Sequence, residues 1–390
     1  MEEKKTLWLL YFGRMDDEKW FSLILDMLRQ FIKKYGNIPF SFYVFWKWKY
    51  MKDLMDLWQT YSNIHFFGWQ PLDVIKKYQE NCDFCLVPSI FLETFGLTAL
   101  NSLSMWIPVI GFAKWWLSQF VDQKYDISKF EWDNDSQKLF NLVESIVRDF
   151  NLWKINLEKE NKKALSLSKN YSIERWVDSA KTLFWKPKRI LLVSDFKSKL
   201  WWIETYIHDV ADILEDNGYE VEIYGTQIPN WFLWNFIRQF GLILTWRNFI
   251  DAIRLKIFVR KFRPKVVWYH STLRWLWWYP IKVLSSYNAK KYVMYHDLWY
   301  FHPFPSQVTQ ENMVKTPLTL SNFLRSAWTK NPLKLISVFL KYISVYLLSK
   351  RLKKSVDLHL VPSSFMENMV CKSFVINPKK VQTFSHFIQW

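Results

Sequence analysis

The sequence predicts an α/β protein of two units, each built on a mainly parallel sheet flanked by helices. Three observations predict this class. The 390 residues suffice for two domains of ordinary size. Half of the residues are hydrophobic, so both units can bury a core. Short apolar runs alternate with helical patterns along the chain, which is typical of strands joined by crossover helices.

Five apolar runs predict the strands of the first half: LWLLYFG, FSFYVFW, NIHFFG, CDFCLVPS and IPVIGF. A charged helical stretch from Leu157 to Phe184 closes this half, and a basic, proline-containing linker follows it. We therefore predict a first domain at residues 1–185 and a second at residues 186–390.

The second half repeats the pattern of strand, loop and helix. Ile203, Ile207, Val210 and Leu214 share one helical face, and Gly218 ends that helix. Further strands are predicted at YEVEIYG, PKVVWYHS, KKYVMYHD and SVDLHLVPS. Two basic, aromatic stretches, 231–263 and 314–354, have helical patterns. They indicate either packed amphipathic helices with solvated basic faces or a surface that lies on a membrane.

The formal net charge of +17 predicts attraction to anions, whether phosphates, nucleic acid or an acidic membrane. Three cysteines argue against a disulfide framework. Cys82 and Cys85 form a C-x-x-C, but they lie in a predicted strand and no second pair follows, so we expect no metal site there. The sequence shows neither a signal peptide nor a long uninterrupted apolar run, and we expect a cytoplasmic protein.

Tryptophan and glycine occur in unusual numbers. The chain has 25 tryptophans and 8 glycines, whereas a chain of this length usually has roughly 27 glycines. Many tryptophans follow helices and strands, as in MWIPVIGFAKWWLSQF, where turns favour residues that tolerate positive φ. We interpret many of them as UGA codons that the source organism reads as glycine.

Two strand-to-helix junctions of the first half suggest a phosphate site. Arg14 and Lys19 follow the first strand, and Glu93, Phe95, Gly96 and Leu97 follow the fourth. A helix that begins near Leu97 would point free backbone N–H groups and its positive dipole end beyond the strand ends. Open α/β sheets bind ligands at that edge.

These segments, GRMDDEK and PSIFLETFGL in this order, resemble the nucleotide-sugar domain of the retaining GT-B glycosyltransferases called group 1 or family 4. The resemblance implies that Arg14 and Lys19 neutralise the leaving diphosphate and that Glu93 binds the donor sugar. Phe95, Gly96 and Leu97 would hold sugar and phosphate through their amides. A second family glutamate, which binds the ribose, falls on Asn101, and this change weakens the expected hydrogen bond.

The second half resembles the acceptor-side domain of the same family. WWIE, Trp201 to Glu204, is similar to its Gly-Gly-Ile-Glu loop, with Trp201 and Trp202 at the glycines and Ile203 completing the loop. His296 matches the histidine that lines the acceptor side, and His270 is a weaker candidate. The two halves stand in the reverse of the family's order, which indicates a circular permutation or a joining of two enzymes.

The resemblance implies sugar transfer from a nucleotide-diphosphate donor to a glycan or lipid-linked acceptor, with retention and without a metal or other cofactor. Peripheral contact with an anionic membrane is expected from the basic helices, and nucleic-acid binding is not. A sugar-nucleotide epimerase, an inactive fusion and a non-enzymatic, tryptophan-rich binding protein are the alternatives. Trp106, at a helix end, and Trp115 and Trp116, beside the donor pocket, are expected to occupy glycine positions and to obstruct the cleft.

Overall fold

The structure, a computed structural model, describes residues 6–13, 21–45, 51–90, 94–130, 134–185, 189–199, 202–226, 244–272, 276, 279–304, 308 and 313–387. Of Trp115, Trp202, Ser271 and residues 244–252 it describes the backbone alone. The chain divides into two compact units, Met1–Ile173 with Phe387–Trp390, and Glu174–His386.

The first unit is built on a parallel sheet with the strand order β3-β2-β1-β4-β5. Its elements are β1 (Trp8–Phe12), α1 (Phe21–Tyr35), β2 (Ser41–Phe45), α2 (Met51–Thr60), β3 (Ile64–Gly68), α3 (Leu72–Gln79), β4 (Phe84–Val87), α4 (Leu97–Ser104), β5 (Val109–Gly111), α5 (Asp135–Asn151) and α6 (Leu157–Ser168).

Alternation along β1 explains why this sheet is covered on both faces. Leu9 and Tyr11 belong to one buried cluster, and Leu10 and Phe12 belong to another. Successive side chains of a strand point to opposite faces, so each cluster fills the space between the sheet and one helical layer.

The second unit also has a parallel sheet, with the strand order β11-β10-β9-β8-β6-β7. Its elements are α7 (Ile173–Leu183), β6 (Arg189–Phe196), α8 (Trp202–Asp216), β7 (Glu220–Thr226), α9 (Leu244–Phe262), β8 (Val266–Ser271), α10 (Tyr279–Leu284), β9 (Lys290–Met294), α11 (Leu320–Ser326), α12 (Pro332–Ser355), β10 (Leu358–Val361), α13 (Ser364–Phe374) and β11 (Val381–Thr383).

The predicted fold class is therefore confirmed: two mainly parallel sheets, each flanked by helices. Ile203, Ile207, Val210 and Leu214 are buried along α8, as their spacing predicts. Gly218 ends that helix with φ +84°.

The division between the units lies earlier in the chain than the predicted linker at residue 186. The second unit begins at Glu174, because α7 packs into the core of this unit. The Trp176 ring lies 5.3 Å from Phe384, and Phe184, just after the helix, lies 5.2 Å from Trp268.

Candidate active site

The first sheet has a topological switch point between β1 and β4. The chain adds β2 and β3 on one side of β1, and β4 and β5 on the other. Crossovers that leave in opposite directions open a crevice outside the carboxyl ends of the two central strands, where open α/β sheets bind their ligands. The segments after β1 and β4 are those that carry the predicted donor residues.

Backbone geometry brings the end of β1 to the start of α4. Gly13 follows β1 with φ +148°, and an ideal Cβ built on it would lie 4.0 Å from Thr98 Oγ1, in the first turn of α4. The amide of Gly13 donates to the carbonyl of Phe45, at the end of β2. The two predicted junctions therefore meet at one edge of the sheet. Arg14, Lys19 and Glu93 themselves lie outside the described residues.

Helix α4 begins where the sequence predicts. Gly96 precedes it in the left-handed conformation, φ +78° and ψ +48°, and makes no side-chain cap. The first amides of a helix have no partner within the helix, so an anion can accept from them. A Cβ at Gly96 would lie 3.1 Å from Leu117 Cδ2, so this glycine also allows close packing within the unit.

The other predicted donor residues surround this helix start. Phe95 is buried and Leu97 is 36% exposed. Asn101 is half-buried one turn after Leu97, and therefore lies on the same side of α4. An asparagine there presents a neutral amide, which hydrogen-bonds a diol less strongly than a carboxylate does.

Trp116 lies in the core of the first unit. It is 4% exposed, and its ring stacks on Phe95 at 5.5 Å and meets Phe120 and Tyr171 edge-on at 5.7 and 6.2 Å. This placement differs from the expected indole beside the donor pocket, because three aromatic neighbours and the 3₁₀ turn that begins at Trp115 accommodate the ring. The side chain of Trp115 is outside the described residues.

Trp106 has the strained conformation that its position after the helix predicts. Its φ is +65° and its side chain is 46% exposed. Its amide donates to Leu103, and that of Ile107 donates to Ser102, the paired bonds that end a helix with a left-handed residue.

Two more tryptophans occupy the same position after a helix. Trp153, with φ +57°, follows α5, and Trp328, with φ +44°, follows α11. Each lies two residues beyond the last helical residue. Gly218 occupies this position after α8, and its hydrogen bonds follow the pattern seen at Trp106. Arg263 and Val375 are the other described residues besides glycine with positive φ.

The second unit holds a cluster of buried histidines at the carboxyl edge of its sheet. His270 is in β8, His296 follows β9, and His386 follows β11; all three are at most 2% exposed. His270 Nδ1 lies 3.0 Å from His296 Nε2, so one ring donates to the other. His296 and His386 stack at 5.2 Å, with an angle of 5° between the rings. Tyr206 of α8 lies 4.6 Å from His386 and 5.3 Å from His296.

Burial keeps these imidazoles neutral. Desolvation, together with neighbouring His386, lowers the pKa of His270 to about 3. Desolvation alone lowers the pKa of His386 to about 3. The pKa of His296 falls well below its ordinary value, because of burial and then of the two adjacent histidines. The cluster can therefore exchange hydrogen bonds at neutral pH without carrying charge.

Two predicted residues of the acceptor-side loop lie at the start of α8. Ile203 and Glu204 are each 1% exposed, and Glu204 is in the first helical turn, where the helix dipole favours a carboxylate. Trp201 and the side chain of Trp202 lie outside the described residues. Sequence reasoning missed Tyr206 and His386, which join the cluster because α8 and the segment after β11 reach the same edge.

The C-x-x-C pair belongs to a core cluster of the first unit. Cys82 and Cys85 are buried, and desolvation raises the pKa of Cys85 to about 12. Within the described ranges, no group of three or more histidine, cysteine, aspartate and glutamate side chains is arranged to hold a metal ion.

The strand order of the first unit defines an α/β protein with a crevice at the switch point of its sheet. Comparison with known families makes this more specific: residues 6–149 match the family described as glycosyl transferases group 1. The match covers the first sheet, α4 and most of α5, so this part of the chain is similar to that family. A search of curated proteins found no match.

Solved structures give weaker similarities. The pneumococcal O-GlcNAc transferase GtfA, in complex with UDP and GlcNAc, is 17% identical, with a TM-score of 0.39 over 47% of this chain and 37% of that chain. WaaG, a glycosyltransferase involved in lipopolysaccharide biosynthesis, is 15% identical, with a TM-score of 0.35 over 47% of this chain and 48% of that chain. The present chain thus spans less than half the length of either.

Proposed function

We propose that the chain is a retaining GT-B glycosyltransferase, which moves a sugar from a nucleotide-diphosphate donor to a glycan or lipid-linked acceptor. One observation carries the proposal: the part of the chain that is similar to group 1 glycosyltransferases contains a helix start at the switch point of its sheet. That helix start is suited to the donor diphosphate.

The proposed roles follow from charge and position. The α4 amides and the cationic Arg14 and Lys19 stabilise the diphosphate as negative charge develops on it, which is electrostatic preorganisation. Glu93 accepts hydrogen bonds from sugar hydroxyls, and Asn101 binds the nucleotide ribose. In the second unit, a neutral His296 hydrogen-bonds on the acceptor side. Because cationic side chains serve the leaving group, we expect turnover without added metal.

A donor assay tests the proposal. The purified chain, with glycine at the UGA codons, is incubated with UDP- and GDP-sugars, and release of UDP or GDP is measured with and without EDTA. Arg14→Ala is expected to lower the rate about 100-fold, the usual effect of removing one donor to developing charge. Arg29→Ala is the matched control, since Arg29 is exposed and pairs with Asp26 and Asp53. Absence of release with every donor, or full activity of Arg14→Ala, would contradict the assignment.

Asn101→Glu is expected to tighten UDP binding about tenfold, because a carboxylate accepts the ribose hydrogen bonds with charge assistance. Calorimetric titration with UDP measures the change, and Asn101→Gln, which stays neutral, is the control. Equal affinity of the two variants would remove Asn101 from the nucleotide site.

The proposal also concerns the genetic code and the order of the units. Trp106, Trp153 and Trp328 occupy left-handed positions that favour glycine, which supports the reading of UGA as glycine. UGG at these three codons in the gene would refute it.

The nucleotide-sugar unit precedes the acceptor-side unit, the reverse of the family's order, as in a permuted enzyme. Donor hydrolysis by the purified chain alone would support one permuted enzyme, whereas its absence would indicate two mismatched halves.

A further inference from the structure

One face of helix α12, in the basic stretch 314–354, is apolar and exposed. We infer that this face lies on an anionic lipid bilayer, with the axis of the helix along the membrane surface. The inference does not depend on the proposed sugar transfer.

Helix α12 has two apolar faces. Val338, Val345, Leu348 and Leu352 are buried, at spacings of seven, three and four. A second row is exposed at spacings of three, four and three: Leu333 at 77%, Ile336 at 57%, Leu340 at 49% and Ile343 at 37%. Residues at such spacings share one side of a helix, so one apolar row faces the unit and the other faces outward. We call the outward row the α12 stripe.

Phe339 and Tyr346 widen the α12 stripe, at 42% and 40% exposure. Monomeric soluble proteins rarely expose a contiguous apolar surface of this kind without an interaction partner. The stripe therefore needs an occupant.

The charges around the stripe favour anionic lipid as that occupant. Residues 313–356 contain nine lysines and arginines and no aspartate or glutamate. Lys350, Lys353 and Lys354 are exposed in the last two turns of α12. An apolar face on a helix whose charged residues are all cationic suits the boundary between acyl chains and acidic headgroups.

The helix is also tied to its own unit, which favours lying on the membrane over crossing it. Among the described residues, α12 is the helix long and apolar enough to cross a membrane by length and composition. However, Lys341 Nζ donates to the carbonyls of His302 and Pro303, both at 2.9 Å, and lies 4.1 Å above the Trp299 ring. A spanning helix would lose these contacts and the buried row.

Vesicle flotation of the full chain tests the inference. The protein is expected to float with vesicles containing phosphatidylglycerol and to stay in solution with pure phosphatidylcholine. Ile336→Asp/Leu340→Asp is expected to abolish flotation, because it places carboxylates in the stripe. Neutralising Lys350, Lys353 and Lys354 to glutamine should weaken binding about fivefold for each charge.

Leu152→Asp is the matched control, since Leu152 is an apolar residue of the first unit exposed at 55%. This variant should float like the parent, and circular dichroism checks that all variants fold. Equal flotation of the stripe variant and the control would overturn the inference. Retention in the membrane after alkaline carbonate extraction would overturn it in favour of a span, and a stripe-dependent dimer without vesicle binding would overturn it in favour of a second copy.

Discussion

Replacing Trp106, Trp153 and Trp328 together by glycine is expected to raise the free energy of unfolding by about 3 kcal/mol. Each residue has a positive φ, between +44° and +65°, which costs a residue with a Cβ roughly 1–2 kcal/mol. Glycine adopts this conformation freely but loses more entropy on folding, so the net gain is about 1 kcal/mol at each site. Exposure of the three indoles means that little packing is lost.

Alanine at the same three positions is the matched control. It removes the indoles but keeps the Cβ, so the alanine variant should gain little, and the difference between the two variants isolates the backbone. Urea unfolding followed by circular dichroism measures both. A glycine variant no more stable than the alanine variant would show that these helix ends do not require glycine.

Buried tryptophans should respond in the opposite direction. Trp268 is fully buried in β8, where its ring lies 4.5 Å from His270. Truncation of such a side chain usually costs 3–5 kcal/mol. Trp268→Gly is therefore expected to lower the free energy of unfolding, the opposite of the change expected at the three helix ends.

Lowering the pH from 7 to 5 is expected to reduce the free energy of unfolding of the second unit by about 6 kcal/mol, because three of its buried histidines have strongly lowered pKa values. Above pH 6.5 the histidines are neutral in both folded and unfolded chains. Below it, the unfolded histidines bind protons, while His270, His359 and His386, with pKa about 3, do not. Stability is then lost at about 1.4 kcal/mol per pH unit for each histidine, hence about 2 kcal/mol each by pH 5. His296 acts in the same direction.

Urea unfolding at pH 7, 6 and 5 measures this dependence, and hydrogen exchange of β8 and β9 assigns it to the second unit. His386→Phe keeps an aromatic ring and should remove about 2 kcal/mol of the loss at pH 5. His208→Gln removes a half-exposed histidine of α8 and is the control. If His386→Phe has the same pH dependence as the control, the buried cluster does not cause acid instability.

The sequence predicts the fold well because the apolar runs are short and clearly bounded. Every predicted strand is present, and α8 buries the predicted residues. The three-residue strand β11 was not predicted, since so short a run has no readable period. The pattern of α7 shows an apolar face but not which sheet it covers, so the sequence alone does not assign this helix to the second unit.

The candidate sites were only partly predictable. A helix start after a strand is a local signal, so the position of α4 followed from the residues around Gly96. The histidine cluster depends on contacts between residues distant in the chain, and only His296 and His270 were singled out. Trp116 illustrates a third limit: whether an indole enters a pocket or a core depends on Phe95, Phe120 and Tyr171, which surround it only in the fold.

The tryptophans at helix ends also bear on which organisms can make this protein. Under the proposed code, a host that reads UGA as stop terminates the chain at the first such codon. A host that reads UGA as tryptophan makes the full chain but places indoles on its surface, as at Trp153, which is 75% exposed. Exposed apolar side chains promote association. Depending on the host, the same gene would then give a fragment, a full chain that tends to associate or the native protein.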